Sequence, residues 1–235
     1  SNMGDWTTVK ADDGGEFGLY VERPASGGPA GVIICIQEIF GVNHAMRDIA
    51  KLWADRGYIA VSPDLFWRQE ERVDITDGSD EEWQKAFQLY QGFDVEKGLA
   101  DLKATIAYAR AMDGASGKVG SVGFCLGGKL AYLMATRTDA DANVGYYGVG
   151  IEEMLDEASK ITKPLMLHIA EEDGFVSKEA QAQVKDGLAG NSNVTVHSYP
   201  GMDHAFARIG GKPYNKENAD LANGRTAELF AEALR

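Results

Sequence analysis

Cysteine is scarce, with only Cys35 and Cys125 in 235 residues. Two cysteines exclude a disulfide framework, and with no secretion signal visible a reducing, cytoplasmic setting is the expectation. Long apolar runs are also missing. The richest, Pro29 to Ile36, is well short of the roughly 18 to 20 uncharged residues that cross a bilayer, so a membrane span is not expected. Positive charge is in short supply, 23 Lys and Arg against 36 Asp and Glu for a net charge of -13. A phosphate backbone would be repelled, which argues against nucleic acid as a partner. An anionic substrate would need a local cationic pocket working against the whole field. Metal-ligand spacings of the H-E-x-x-H or Cys-x-x-Cys type are absent, so no metal is expected. Ser1-Asn2-Met3 reads as a cleavage scar and is set aside.

What remains is an ordinary globular balance, 44% hydrophobic and 25% charged, enough to bury a core. Short apolar runs alternate with amphipathic stretches, the order of an α/β fold with a mostly parallel central sheet flanked by helices on both faces. Strands are expected at Phe17 to Val21, Gly31 to Ile36, Tyr58 to Val61, Val119 to Gly123, Val144 to Tyr147, Leu165 to Ile169 and Val194 to Tyr199. The first of these, with its acidic flank, is expected at an antiparallel edge. Helices are expected over about 43–55, 93–112, 126–136, 178–189 and 216–234. No repeat or long linker interrupts residues 4–235, which read as a single domain. Residues 66–91 form a polar, acidic insertion carrying Trp67 and Trp83, and such a segment is either a lid or an ordinary solvated helix.

The strongest local signal is Gly120-Ser121-Val122-Gly123-Phe124-Cys125-Leu126-Gly127-Gly128, where a strand ends at Gly-x-Cys-x-Gly and a helical pattern begins. This is the thiol version of the Gly-x-Ser-x-Gly nucleophile elbow. A nucleophile on so sharp a turn takes strained backbone angles, and the small flanking residues let neighbouring backbone pass close by. The helix N-terminus behind it offers free N–H groups and partial positive charge, which stabilise first a thiolate and then an oxyanion. The plain alternative is a small buried thiol in a tight turn. Candidate partners downstream weigh against it.

Of the four histidines, His168 and His197 fall inside strands and read as core or surface strand residues, and His44 opens a helix. His204 differs. It follows the last strand in Tyr199-Pro200-Gly201-Met202-Asp203-His204, a loop at the carboxyl end of a strand, where α/β sites form. The acid would come from the loop after the preceding strand, Glu171-Glu172-Asp173-Gly174. Glu171 and Glu172 compete for the role; Asp173, beside the glycine and furthest into the loop, is the choice, with a plain Asp-Gly turn as its alternative. The chain order nucleophile, acid, histidine is that of the α/β-hydrolase triad.

These residues resemble the dienelactone hydrolase (carboxymethylenebutenolidase) family of the α/β-hydrolase superfamily over nearly the whole chain. The resemblance rests on Gln37-Glu38-Ile39-Phe40-Gly41-Val42-Asn43, Ser62-Pro63-Asp64-Leu65, the Gly-Phe-Cys-Leu-Gly-Gly elbow, Glu172-Asp173-Gly174 and Gly201-Met202-Asp203-His204-Ala205-Phe206. It implies a cofactor-free enzyme acting on a small ester or lactone, with Cys125, Asp173 and His204 as triad and backbone N–H groups of Ile39 and Leu126 as oxyanion hole; a monomer is expected. It gives Glu38 a part in generating the thiolate when substrate binds, and Arg208 the substrate's carboxylate. One departure stands out. Family members acting on dienelactone carry a second arginine in the insertion, whereas near Trp83 this chain offers only Lys85, Arg68 and Arg72, and Phe87 stands where others have a tyrosine. The hydrolase chemistry carries over; a neutral ester, another lactone or a longer substrate stacking on Trp83 and Phe87 is equally compatible. A carboxylesterase or thioesterase on the same scaffold, or a non-catalytic thiol sensor, are the rival readings.

Overall fold

A computed structural model describes residues 4–235; Ser1-Asn2-Met3, read as a cleavage scar, lies outside the described residues. The chain divides into two compact units that meet in sequence at Val119 and Gly120. The fold class is the expected α/β one, with eight strands and mostly parallel pairings.

In the first unit β1 (Asp5–Lys10), β2 (Glu16–Glu22), β3 (Ala30–Ile36) and β4 (Ile59–Pro63) lie in the order β1-β2-β4-β3. β2 is antiparallel to both β1 and β4, while β3 and β4 are parallel. The strand expected at the edge is therefore internal, because β1 covers it. β1 escapes notice since only Val9 of its six residues is buried, so it has no apolar run to read. β3 is buried along its whole length, as befits a parallel strand packed on both faces. Helices α1 (His44–Asp55), α2 (Asp80–Gln91) and α3 (Val95–Ala111) complete the unit. Their N-termini are capped by Asn43, Ser79 and Asp94. Ser79 Oγ accepts from the Glu82 amide and donates to the Glu82 carboxylate, whose other oxygen accepts from the Thr76 amide.

The 66–91 segment is tied down rather than loose. Arg68 reaches buried Asp101 of α3 at 2.6 and 3.2 Å, and Trp67 donates to the same carboxylate at 3.0 Å. Arg68 also binds Asp13 at 2.8 Å. Further along, the Arg72 amide donates to Asp64, Arg47 holds Asp74, and the Ile75 amide and carbonyl bond Phe40 and Asn43. Burial keeps the Asp101 carboxyl above its ordinary range despite these donors, so the guanidinium is what makes the buried charge tolerable.

The second unit begins within β5 (Ala115–Phe124), whose residues from Gly120 on, β6 (Ala142–Tyr146), β7 (Leu165–Ala170) and β8 (Val194–Tyr199) pair in that order, all parallel. α4 (Leu126–Arg137), a kinked 3-10 helix (Ile151–Lys160), α5 (Lys178–Leu188) and α6 (Lys216–Ala233) accompany them. Two of the helices cover opposite faces. A Cβ on Gly145 would meet the Gly128 carbonyl of α4 at 2.9 Å, whereas the next residue, Tyr146, sends its hydroxyl to Asn223 and Thr226 of α6. Strand alternation puts those neighbours on opposite sides. Among the described residues no helix is long and apolar enough to cross a membrane.

Replacing Arg68 with Met leaves Asp101 buried with only Trp67 for company, and should lower unfolding free energy in urea by about 3 kcal/mol. A loss below about 1 kcal/mol would show that the segment is held by something else.

Candidate active site

Among the described residues, five of the six α-helices begin with an Asn, Ser or Asp side chain bonded to a first-turn amide: Asn43, Ser79, Asp94, Ser177 and Asn215. α4 does not. Its N-cap is Cys125, which makes no side-chain cap bond. The Leu126 amide is one of the leading N–H groups that a helix cannot satisfy internally. Cys125 has φ 59 and ψ -115, a strained conformation for a residue with a side chain. The turn closes because Gly123 has no side chain: a Cβ there would stand 1.8 Å from the Gly127 carbonyl oxygen. The Cys125 amide donates to the Tyr146 carbonyl at 3.0 Å, anchoring the elbow to β6.

Asp173 lies in the loop after β7, buried, and its two carboxylate oxygens have separate tasks. One accepts from the Phe175 amide at 2.8 Å and the other meets His204 Nδ1 at 3.0 Å. Its competitors are placed elsewhere: Glu172 pairs with Lys178 at the surface, and the Glu171 amide bonds the Tyr199 carbonyl. Sequence reasoning missed Asp203, whose Oδ1 accepts from the His204 amide at 2.6 Å and from the Gly174 amide at 3.1 Å. That one oxygen clasps the histidine loop to the acid loop. The Asx-type spacing of Asp203 next to His204 was the only signal available.

The imidazole of His204 sits between two rings, Tyr147 at 5.1 Å and Phe175 at 4.8 Å. Burial pulls its pKa down, but hydrogen bonds to Asp173 and to the Cys125 side chain outweigh this and push it up to about 10. The site therefore favours an imidazolium facing sulfur on one side and carboxylate on the other. Backbone strain gathers at the same place. Besides Cys125, Tyr147 (φ 38) and Ala205 (φ 66), the residue after His204, are the non-glycine residues of this unit with positive φ.

The other expected site residues fall as follows. Glu38 and Ile39 are buried in the segment after β3, where the Gln37 side chain donates to the Glu38 carbonyl and accepts from the Leu65 amide. Trp83 of α2 packs edge-on against Phe40 at 5.3 Å and stacks on Phe87 at 5.2 Å. Lys85 is engaged by Glu70 at 3.0 Å, and Arg72 lies over the Trp6 ring at 3.9 Å. Arg208 is half-buried in the turn that follows His204. His44, at the start of α1, pairs with Asp48.

A cysteine at a strained strand-to-helix turn, an acid after the next-but-one strand and a histidine after the last define an α/β hydrolase. The chain belongs to the dienelactone hydrolase family, whose model matches residues 17–234. Carboxymethylenebutenolidase of Pseudomonas putida is 40% identical over 95% of this chain and 94% of its own length. A chain of Azospirillum brasilense, provisionally named for the same activity, is 50% identical over 97% and 98%. The crystal structure of a Klebsiella pneumoniae protein, provisionally named a dienelactone hydrolase, superposes with a TM-score of 0.87 at 27% identity, covering 97% of this chain and 98% of that one.

The elevated His204 pKa has a sign. Its contribution to stability is complete below about pH 6.5, the unfolded value, and is lost as pH rises through about 10. Urea midpoints should therefore fall between those pH values, and fall less in His204→Gln; equal slopes would contradict the assignment. Asp173→Asn should lower the His204 pKa, because the bond to this carboxylate is the largest of the contacts that raise it; an unshifted ring titration would contradict the assignment.

Proposed function

We propose that this chain opens a lactone or cleaves an activated carboxylic ester by acyl transfer through Cys125, His204 and Asp173. The observation that carries the proposal is the uncapped, strained Cys125 at the head of α4, with a histidine beside it that Asp173 holds at 3.0 Å. The thiolate attacks the substrate carbonyl and the oxyanion takes up the Leu126 amide at the helix N-terminus. Collapse expels the alkoxide or enolate oxygen, which takes a proton from the His204 imidazolium; in a lactone that oxygen stays attached as the ring-opened acyl group. Neutral His204 then removes a proton from water, which attacks the thioester and releases carboxylate and thiol. Thiolate leaves a tetrahedral intermediate readily, so activated esters and enol lactones suit it better than amides. Asp173 fixes the imidazole and offsets its charge. Glu38, Ile39 and Arg208 keep, within this proposal, the parts that the family resemblance gives them: thiolate generation, second oxyanion amide and carboxylate recognition.

A second reading, a carboxylesterase for neutral esters, draws on one observation. The cations of the 66–91 segment are engaged: Arg68 by Asp101 and Asp13, Lys85 by Glu70, Arg72 by Trp6. Such a segment serves a substrate with one carboxylate or none better than one with two. The test compares wild type, Cys125→Ala and Cys125→Ser on cis- and trans-dienelactone and on p-nitrophenyl acetate. Loss of turnover on the order of 10⁴-fold or more in Cys125→Ala is expected on whichever substrate is active. Turnover of p-nitrophenyl acetate alone would move the reading to the esterase, and turnover indifferent to Cys125→Ala would overturn the triad.

A further inference from the structure

His168 on β7 is a fully buried imidazole that none of these chemical steps uses. Both of its nitrogens are occupied, Nδ1 by the Tyr199 hydroxyl at 2.8 Å and Nε2 by the Thr226 hydroxyl at 2.9 Å. The surroundings decide the tautomer. Thr226 gives its hydrogen to the Ala222 carbonyl at 2.9 Å, so towards His168 it accepts, and Nε2 carries the ring hydrogen. Nδ1 then accepts from Tyr199, whose oxygen in turn accepts from Arg225 Nη1 at 3.1 Å. One neutral tautomer satisfies every group along this path, whereas a second ring proton would take the place of the Tyr199 hydrogen at Nδ1. Burial, then His197 stacked at 5.8 Å and Arg225 nearby, drives the His168 pKa well below its ordinary value. Those two are the titratable or cationic groups facing the ring, and Tyr146 and Tyr199 are the phenols.

The same network reaches the backbone from which the triad hangs. β6, β7 and β8 are in register so that Tyr146, His168 and His197 stand side by side under α6. The Tyr146 hydroxyl donates to Asn223 Oδ1 at 2.7 Å and lies 2.8 Å from the Thr226 oxygen, while its carbonyl accepts from the Cys125 amide. The strained Tyr147, whose ring packs on His204, donates its amide to the His168 carbonyl at 2.8 Å. The Tyr199 carbonyl accepts from Glu171 at 3.2 Å and Met202 at 3.3 Å, so it roots both the acid loop and the histidine loop.

We propose that His168 is a positioning residue: as a neutral, Nε2-protonated imidazole bound to Thr226 and Tyr199, it locks the ends of β6, β7 and β8 to α6 and so sets the geometry of Cys125, His204 and Asp173. This rests on the triad reading above. It acts through Tyr146, Tyr147 and Tyr199 and touches no substrate. An offset of a fraction of an ångström to one ångström at a triad is expensive, so the effect belongs in kcat rather than in binding.

The test uses Thr226→Val, which deletes the central hydroxyl at nearly constant volume, Thr226→Ser, which keeps it, and Tyr199→Phe, which removes the oxygen at the other end of the ring. Steady-state kinetics on the ester or lactone that wild type turns over are read beside an NMR titration of the His204 ring. For Thr226→Val and Tyr199→Phe, kcat should fall on the order of tenfold or more with KM within about twofold. The His204 titration should move down by roughly one unit as its bonds to Asp173 and Cys125 loosen. Thr226→Ser should restore both. A folded Thr226→Val or Tyr199→Phe enzyme with wild-type kcat and wild-type His204 titration overturns the proposal, whatever its Tm. Should Thr226→Val fail to fold, Tyr199→Phe carries the test alone. The two levels separate cleanly: full turnover in Cys125→Ala sinks the triad, whereas an inactive Cys125→Ala beside unaffected Thr226→Val and Tyr199→Phe sinks only the role of His168.

Discussion

Everything at this site depends on a turn that the backbone would not choose. At φ 59 Cys125 stands where only glycine sits comfortably, and it is kept there by packing on both sides. Gly123 and the Gly127 carbonyl touch with no room for a methyl group, and the Cys125 amide is held by Tyr146 of β6. Glycines 128 and 145 let α4 settle against the sheet at a distance that any Cβ would forbid. The outcome is a thiol at the strand end, at the one α-helix N-terminus among the described residues without a side-chain cap. Such strain costs of order 1 to 3 kcal/mol per residue, tolerable only where a well-packed sheet over-determines the turn.

Around that turn, charge is arranged on a short line. Asp173, with one oxygen committed to a backbone amide, has the other free to hold His204, and Asp203 fastens the two loops together through a single carboxylate oxygen. An imidazolium is favoured in this setting because Asp173 and the Cys125 side chain both stabilise it, and the Tyr147 and Phe175 rings pack against it. Behind the line lies a second histidine with the reverse character. His168 is neutral, satisfied at both nitrogens and surrounded by hydroxyls, which suits a group that holds position and takes no proton.

Much of this was legible in the residues, for reasons that differ by position. The elbow could be read because its requirement is local: small residues two before and two after the cysteine, between an apolar run and a helical period. Asp173 stood out from Glu171 and Glu172 by its place next to glycine, and the structure separates them by burial and partners. Other features left no mark in any window of sequence. β1 is an edge strand with one buried side chain, so it has no apolar rhythm, and its absence from the reading made β2 look like the edge. The anchoring of residues 66–91 rests on Arg68 meeting Asp101, two residues 33 positions apart. His168 read as a core or surface strand histidine, and burial agrees; its network draws on Tyr146, Tyr199, Arg225 and Thr226, which only the sheet register and α6 bring together.

The central claim is a covalent acyl group on one sulfur. A p-nitrophenyl ester mixed with enzyme and quenched in acid within the first turnovers, followed by peptide mass mapping, tests it most directly. The account predicts the mass of the acyl group on the peptide containing Cys125 and its absence from Cys35, whose buried thiol is pushed out of the reactive range. Ester turnover with the Cys125 peptide unmodified throughout, or acylation at another residue, would contradict it.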